Sequence, residues 1–105
     1  MSLGTLQRQF TACIGHLISF AYSRGYELTF GDAYRDHRVP YGHPRSCHRS
    51  RLAVDFNLFE NGKYLQTTED HKELGEYWEG LHPLARWGGR FKDGNHYSFE
   101  YNGVK

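Results

Sequence analysis

The sequence predicts an α+β fold: a small, mainly antiparallel sheet with two main helices. Three patterns carry that expectation. Leu6, Phe10, Ile14, Leu17, Ile18 and Ala21 recur at the steps of an amphipathic helix. Tyr26, Leu28 and Phe30 alternate with Glu27 and Thr29, as Tyr97, Phe99 and Tyr101 do with Ser98 and Glu100, which is the period of a strand. Asn61-Gly62 between two extended runs is a hairpin signal, because both residues accept positive φ.

In chain order, the first helix is expected from about Gly4 to Arg24, with Gly25 as its left-handed stop. A strand follows over Tyr26–Phe30 and ends at Gly31-Asp32. Asp32 to Arg45 is polar, contains Pro40 and Pro44, and reads as a loop. Arg51 to Phe59 is extended, with Leu52 and Val54 toward the core and Ala53 and Asp55 on the other face. Lys63 to Gln66 is the return strand of the hairpin. Thr67 or Thr68 caps a second helix whose apolar face is Leu74, Trp78 and Leu81 and which Pro83 closes. Trp87-Gly88-Gly89 reads as a tight turn before the last strand, Tyr97 to Tyr101.

At 105 residues the chain has room for one domain and one modest core. Only 38% of residues are hydrophobic, but aromatic residues make up 16% and can supply much of the buried area. The formal net charge of +1 gives no field for nucleic acid or an acidic membrane. No apolar run approaches membrane-spanning length and the opening residues lack a signal-peptide pattern, so synthesis in the cytoplasm is expected. Cys13 falls on the helical stripe and reads as a small core residue rather than half of a disulfide with Cys47.

The chemistry concentrates in two stretches, Ser46-Cys47-His48 through Asp55, and Asp93-Gly94-Asn95-His96. Two imidazoles and a carboxylate form a catalytic-type Zn²⁺ site that keeps one position for water, and a further carboxylate beside a ligand is where a general base sits. Seven positions separate His48 from Asp55, so a regular strand would point them to opposite faces; a bend at Arg49-Ser50 is needed. Asp93 and His96 also diverge in a strand and need a turn at Gly94-Asn95, a pair that takes positive φ readily. The plain alternative is two polar loop histidines and two structural aspartates. Of the other histidines, His16 reads as a polar helix position, His71 and His82 belong with the second helix, and His37 and His43 lie in the loop before the site.

These residues resemble the zinc D-Ala-D-Ala carboxypeptidases and L-alanyl-D-glutamate endopeptidases. That family includes compact phage and prophage endolysins, and its metal fold is shared with the signalling domain of hedgehog proteins. The family pattern is Ser-x-His, six residues, Asp, and later an acid with two residues between it and the second His. Here it reads Ser46-Cys47-His48, Asp55, Asp93 and His96. Gly31-Asp32-Ala33-Tyr34-Arg35 resembles the segment carrying the family's substrate arginine, and Trp87-Gly88-Gly89-Arg90-Phe91 resembles the stretch ahead of the acid. Two departures are plain: many members have Gly where Arg51 stands, and the acid is Asp93 rather than Glu.

The resemblance implies one Zn²⁺ held by His48, Asp55 and His96, with Asp93 as general base. It implies that Arg35 stabilises the oxyanion or holds a substrate carboxylate, that Ser46 supports a ligand or touches substrate, and that Trp87 walls the cleft. Arg35 paired with Asp32 or Asp36, a Trp87 in the core and a Ser46 in an ordinary turn are the plainer readings. The implied partner is a peptidoglycan stem peptide or a D-amino-acid dipeptide, with no nucleic acid, no membrane insertion and a monomeric state. The competing function is a non-catalytic zinc module that binds cell wall or a protein. A metal-dependent nuclease is disfavoured by the near-neutral charge.

Overall fold

The computed structural model describes residues 2–31 and 50–105. Arg35, Ser46 and His48, and with them the loop expected from Asp32 to Arg45, lie outside the described residues.

Helix α1 runs Leu3–Ser23, capped by the Ser2 side chain, which accepts from the Thr5 amide. Its buried stripe is Leu6, Phe10, Cys13, Leu17 and Ala21, so the helical period and the core place of Cys13 both hold. Gly25 has φ 88° and ends the helix as expected. Strand β1, Tyr26–Phe30, pairs antiparallel with β2, Ala53–Glu60, in the register Leu28↔Leu58. Asn61 (φ 53°) and Gly62 (φ 78°) both take positive φ, as a hairpin turn of right-handed strands requires. The return strand β3, Lys63–Leu65, follows at once.

The second helix opens with a 3-10 turn, Glu69–His71, and continues as α2, Lys72–Glu79. Thr67 is its cap: the Thr67 hydroxyl accepts from the Asp70 amide and the Asp70 carboxylate accepts from the Thr67 amide, each at 3.1 Å. Strand β4, Ala85–Trp87, is an element that the sequence pattern did not reveal, since three residues are too few for alternation to register. Trp87 therefore ends a strand, and the turn expected at Trp87-Gly88-Gly89 is a 3-10 segment at Gly88–Phe91. Strand β5 is His96–Phe99, starting one residue before the expected span; Tyr101 instead bridges to Val104.

The sheet order is β1-β2-β5-β4, with β3 on β2, and every pairing is antiparallel. On one face Leu52, Val54, Phe56, Leu58, Tyr97 and Phe99 bury against α1 and α2. The aromatic residues meet edge to face: the Phe10 ring lies 5.6 Å from Trp78 and 5.2 Å from Phe99. The Trp78 indole N–H reaches both the Arg86 and the Ser98 carbonyls at 3.1 Å, tying α2 to β4 and β5 together. Among the described residues, no helix is long and apolar enough to cross a membrane.

Gly75 of α2 lies directly under the Trp87 indole, and a Cβ there would overlap the ring carbons. Gly75→Ala is expected to cost about 2 kcal/mol or more, because neither helix backbone nor buried ring has room to yield. Chemical denaturation of the two proteins checks this; equal midpoints would mean that α2 and β4 separate more easily than their packing implies.

Candidate active site

The site is built on the sheet face opposite the helices. Strands β2 and β5 pair Val54 with Tyr97 and Asp55 with His96. The Phe56 amide donates to the Asn95 carbonyl and the Phe99 amide to the Leu52 carbonyl. Hydrogen-bonded pairs alternate along such a ladder, so Asp55 and His96 fall at a pair without mutual backbone bonds, where side chains stand closest. His96 Nδ1 is 3.2 Å from Asp55 Oδ1. His96 is only 6% exposed, so this is a dry pairing at the edge of the core.

The other ring nitrogen also faces an acceptor. His96 Nε2 is 3.1 Å from the main-chain oxygen of Lys105, which can only accept, as can the Asp55 carboxylate. A neutral imidazole has one N–H for these two oxygens, so one ring nitrogen turns a lone pair toward an acceptor, an arrangement that a metal ion between Nδ1 and Asp55 relieves. The pair fits Zn²⁺: nitrogen and oxygen ligands at about 2.0–2.1 Å from a tetrahedral ion stand about 3.4 Å apart. Among the described residues, no group of three or more His, Cys, Asp or Glu could hold a metal ion. The third expected ligand, His48, falls outside them.

Asp93 joins the pair through a turn. The His96 amide donates to the Asp93 carbonyl at 3.1 Å, and Asp93 Oδ2 comes to 4.0 Å from His96 Nδ1. The Asp93 side chain is half exposed. The turn is made differently from the sequence expectation. Positive φ falls at Lys92 (65°), not at Gly94 or Asn95. Gly94 is needed for close approach, since a Cβ would press into Thr68, and Gly88 likewise leaves room for Asp93 and His96. The bend before Asp55 includes Arg51, which has a φ of 57°, in the left-handed region that favours glycine. The Gln7 side chain holds the Ser50 carbonyl at 2.9 Å and so ties the bend to α1.

Trp87 is placed in the core, 4% exposed, beneath the turn rather than along an open wall. Its indole N–H donates to the Gly94 carbonyl at 2.7 Å, which positions the segment between Asp93 and His96. Arg90 lies over the same ring at 5.3 Å and pairs with Glu79 at 2.7 Å. His82 is structural, bonded to Gln9 and the Leu84 amide and stacked on Phe99; His16 is exposed on α1.

His71 is the residue whose place the sequence reading missed. It is 2% exposed, and its Nδ1 lies 2.8 Å from the Tyr97 hydroxyl. The signal was available: positions 71, 74, 75 and 78 share one helical face, and Leu74, Gly75 and Trp78 are buried with it.

A family model described as D-alanyl-D-alanine carboxypeptidase matches residues 41–99, more than half of the chain. That span contains Ser46, His48, Asp55, Asp93 and His96, while Arg35 precedes it. No curated protein matches the chain.

Burial pushes the His71 imidazole down from 6.5 to about 4, with the Asp70 charge opposing it. The unfolded chain takes up that proton below about 6.5 and the folded chain refuses it until about 4. The contribution is complete above the upper value and is lost as pH falls through this window, by about 3 kcal/mol at most. Denaturation midpoints measured between these limits should fall less steeply for His71→Gln than for the native chain. Parallel curves would show that His71 takes up its proton without resistance in the fold.

Proposed function

This chain belongs to the D-alanyl-D-alanine carboxypeptidase family of peptidases, and we propose that it is a zinc-dependent hydrolase of a peptide bond in the peptidoglycan stem. The observation that carries the reading is the Asp55–His96 pair, two potential ligands 3.2 Å apart with Asp93 alongside, inside the span matched by the family. His48 is the third ligand in this reading. A Zn²⁺ ion bound there would lower its water's pKa toward about 7 and polarise the scissile carbonyl.

The chain's own residues do the rest. The Asp93 carboxylate accepts the proton of the attacking water and returns it to the leaving amine, a task suited to a half-exposed acid. The Lys105 main-chain oxygen, by holding His96 Nε2–H, keeps Nδ1 directed at Asp55. Trp87 fixes the Gly94 carbonyl and so the relative position of Asp93 and His96. Arg35 stabilises the developing oxyanion or anchors a substrate carboxylate, Ser46 supports the site from the same segment as His48, and the enzyme acts as a monomer.

Elemental analysis should find about one zinc per chain, and His96→Ala should lose it. Asp93→Ala should keep the metal while turnover of a stem peptide falls by about 10²-fold or more. Mass spectrometry of peptidoglycan digests reads both the activity and the bond. Release of terminal D-Ala marks a carboxypeptidase and release of a stem peptide an endopeptidase. Full activity in metal-free protein, or in Asp93→Ala, would overturn the assignment.

A further inference from the structure

A cleft of about 230 Å³ opens beside Asp93, between the β2–β3 hairpin, the Thr67–His71 turn and the Lys92–Asn95 turn. Its lining is almost wholly polar and includes Tyr64, Gln66, Thr68, His71, Lys92 and Asp93. Two features give it direction. Lys92 places an exposed ammonium next in the chain to the proposed base. His71 places a ring edge on the wall, and the chemistry of that edge follows from its bond to Tyr97.

Tyr97 is fully buried and its hydroxyl meets His71 Nδ1 and no other partner among the described residues. A buried hydroxyl hydrogen without an acceptor costs about 1–3 kcal/mol, so Tyr97 donates and Nδ1 accepts. The neutral imidazole then carries its proton on Nε2. The Nε2 atom makes no protein hydrogen bond. Ser98 Oγ is the one buried side-chain polar atom without a partner among the described residues. Nε2 is thus not sealed in, and His71 is one of the residues that line the cleft. Burial keeps the ring neutral well below ordinary pH, so this N–H is a fixed donor rather than a titrating one.

We infer that this cleft is a specificity subsite for a carboxylate of the peptide substrate, held by the Lys92 ammonium and the His71 Nε2–H. The inference rests on the reading of Asp93 as the general base: a scissile bond at Asp93 brings the adjoining part of the peptide over Lys92 and His71. The only charged groups among the cleft residues are Lys92 and Asp93. With Asp93 committed to the water, Lys92 supplies the one other charge in the cleft, and the His71 N–H, the Thr68 hydroxyl and the Gln66 amide can donate beside it, while the Tyr64 hydroxyl donates to Asn57. An acceptor-only, planar, anionic group matches that set. The carboxylate belongs to the chain terminus or to an acidic side chain, which share this chemistry.

The test uses the zinc-loaded full chain, a synthetic stem peptide, and two analogues: one with its terminal carboxylate amidated, one with its acidic side chain amidated. One analogue should show a KM about tenfold higher than the parent, and which one identifies the source. Lys92→Gln and His71→Leu should each erase most of that preference, with the loss in KM rather than kcat. His71→Gln, which can accept from Tyr97 and still donate, should restore part of it. Equal KM for all three peptides, or a preference unchanged in Lys92→Gln, overturns the subsite. Because Lys92 is exposed, its variant remains informative if His71→Leu does not fold. A second readout is independent of turnover: the ¹⁵Nε2 signal of His71 should shift on adding the parent peptide and should not shift with the analogue that lacks the recognised carboxylate. Should the protein cleave none of the peptides, the peptidase reading falls, while the signal still decides the subsite: a shift supports it and no shift overturns it.

Discussion

The register of β2 against β5 is the constraint on which the fold and the site both depend. It places Val54 opposite Tyr97 on the face covered by the helices, and by the same alternation sets Asp55 opposite His96 on the other. A slip of one residue would send Asp55 into the aromatic core and Val54 out to the site. The register is held at both ends, by the Phe56 amide on the Asn95 carbonyl and the Phe99 amide on the Leu52 carbonyl. The proposed ligand pair thus draws its precision from the burial of Tyr97 and Phe99, not from any bond of its own.

Trp87 connects that core to the chemistry. Its ring occupies space that Gly75 and Gly89 leave open, and its N–H holds the carbonyl of Gly94. The glycines around it serve close approach, and side chains there would push α2, the 3-10 segment and the Asp93 turn apart. In a chain with so little aliphatic content, broad rings do the work of filling space, and their polar edges reach out to fasten backbone at strand and turn. Trp78 does this for β4 and β5; Trp87 does it for the turn between Asp93 and His96.

The two buried histidines are each defined by what faces their ring nitrogens. Both nitrogens of His96 face oxygens that can only accept, those of Lys105 and Asp55, so the pair is suited to a bound cation. His71 accepts the Tyr97 hydroxyl hydrogen bond at Nδ1, which leaves the Nε2–H of a neutral ring for another partner. Asp93 relates to both: its carboxylate lies 4.0 Å from His96 Nδ1, and it lines the cleft that His71 also lines.

The helical stripe from Leu6 to Ala21, the Gly25 stop, the Asn61-Gly62 hairpin, a cap at Thr67 or Thr68 and the alternation at Tyr97–Phe99 were all legible in the sequence, because each is a local pattern set by period or by backbone preference. His48, Asp55, Asp93 and His96 were legible as candidate chemistry from residue type and from the family resemblance, against the strand period, which by itself points them apart. The order of the strands was not, nor was the three-residue strand β4, since pairing partners are chosen by long-range burial. The glycines at positions 75, 88 and 94 could be read only as turn formers until the ring or backbone above each was in place. What sequence alone determined is which side of β1, β2 and β5 a residue faces. Only the tertiary structure decided that Asp55 meets His96, that Trp87 lies beneath their turn, and that His71 lines a cleft beside Asp93. Those contacts join residues far apart in the chain, and nothing in local periodicity carries the distance between them.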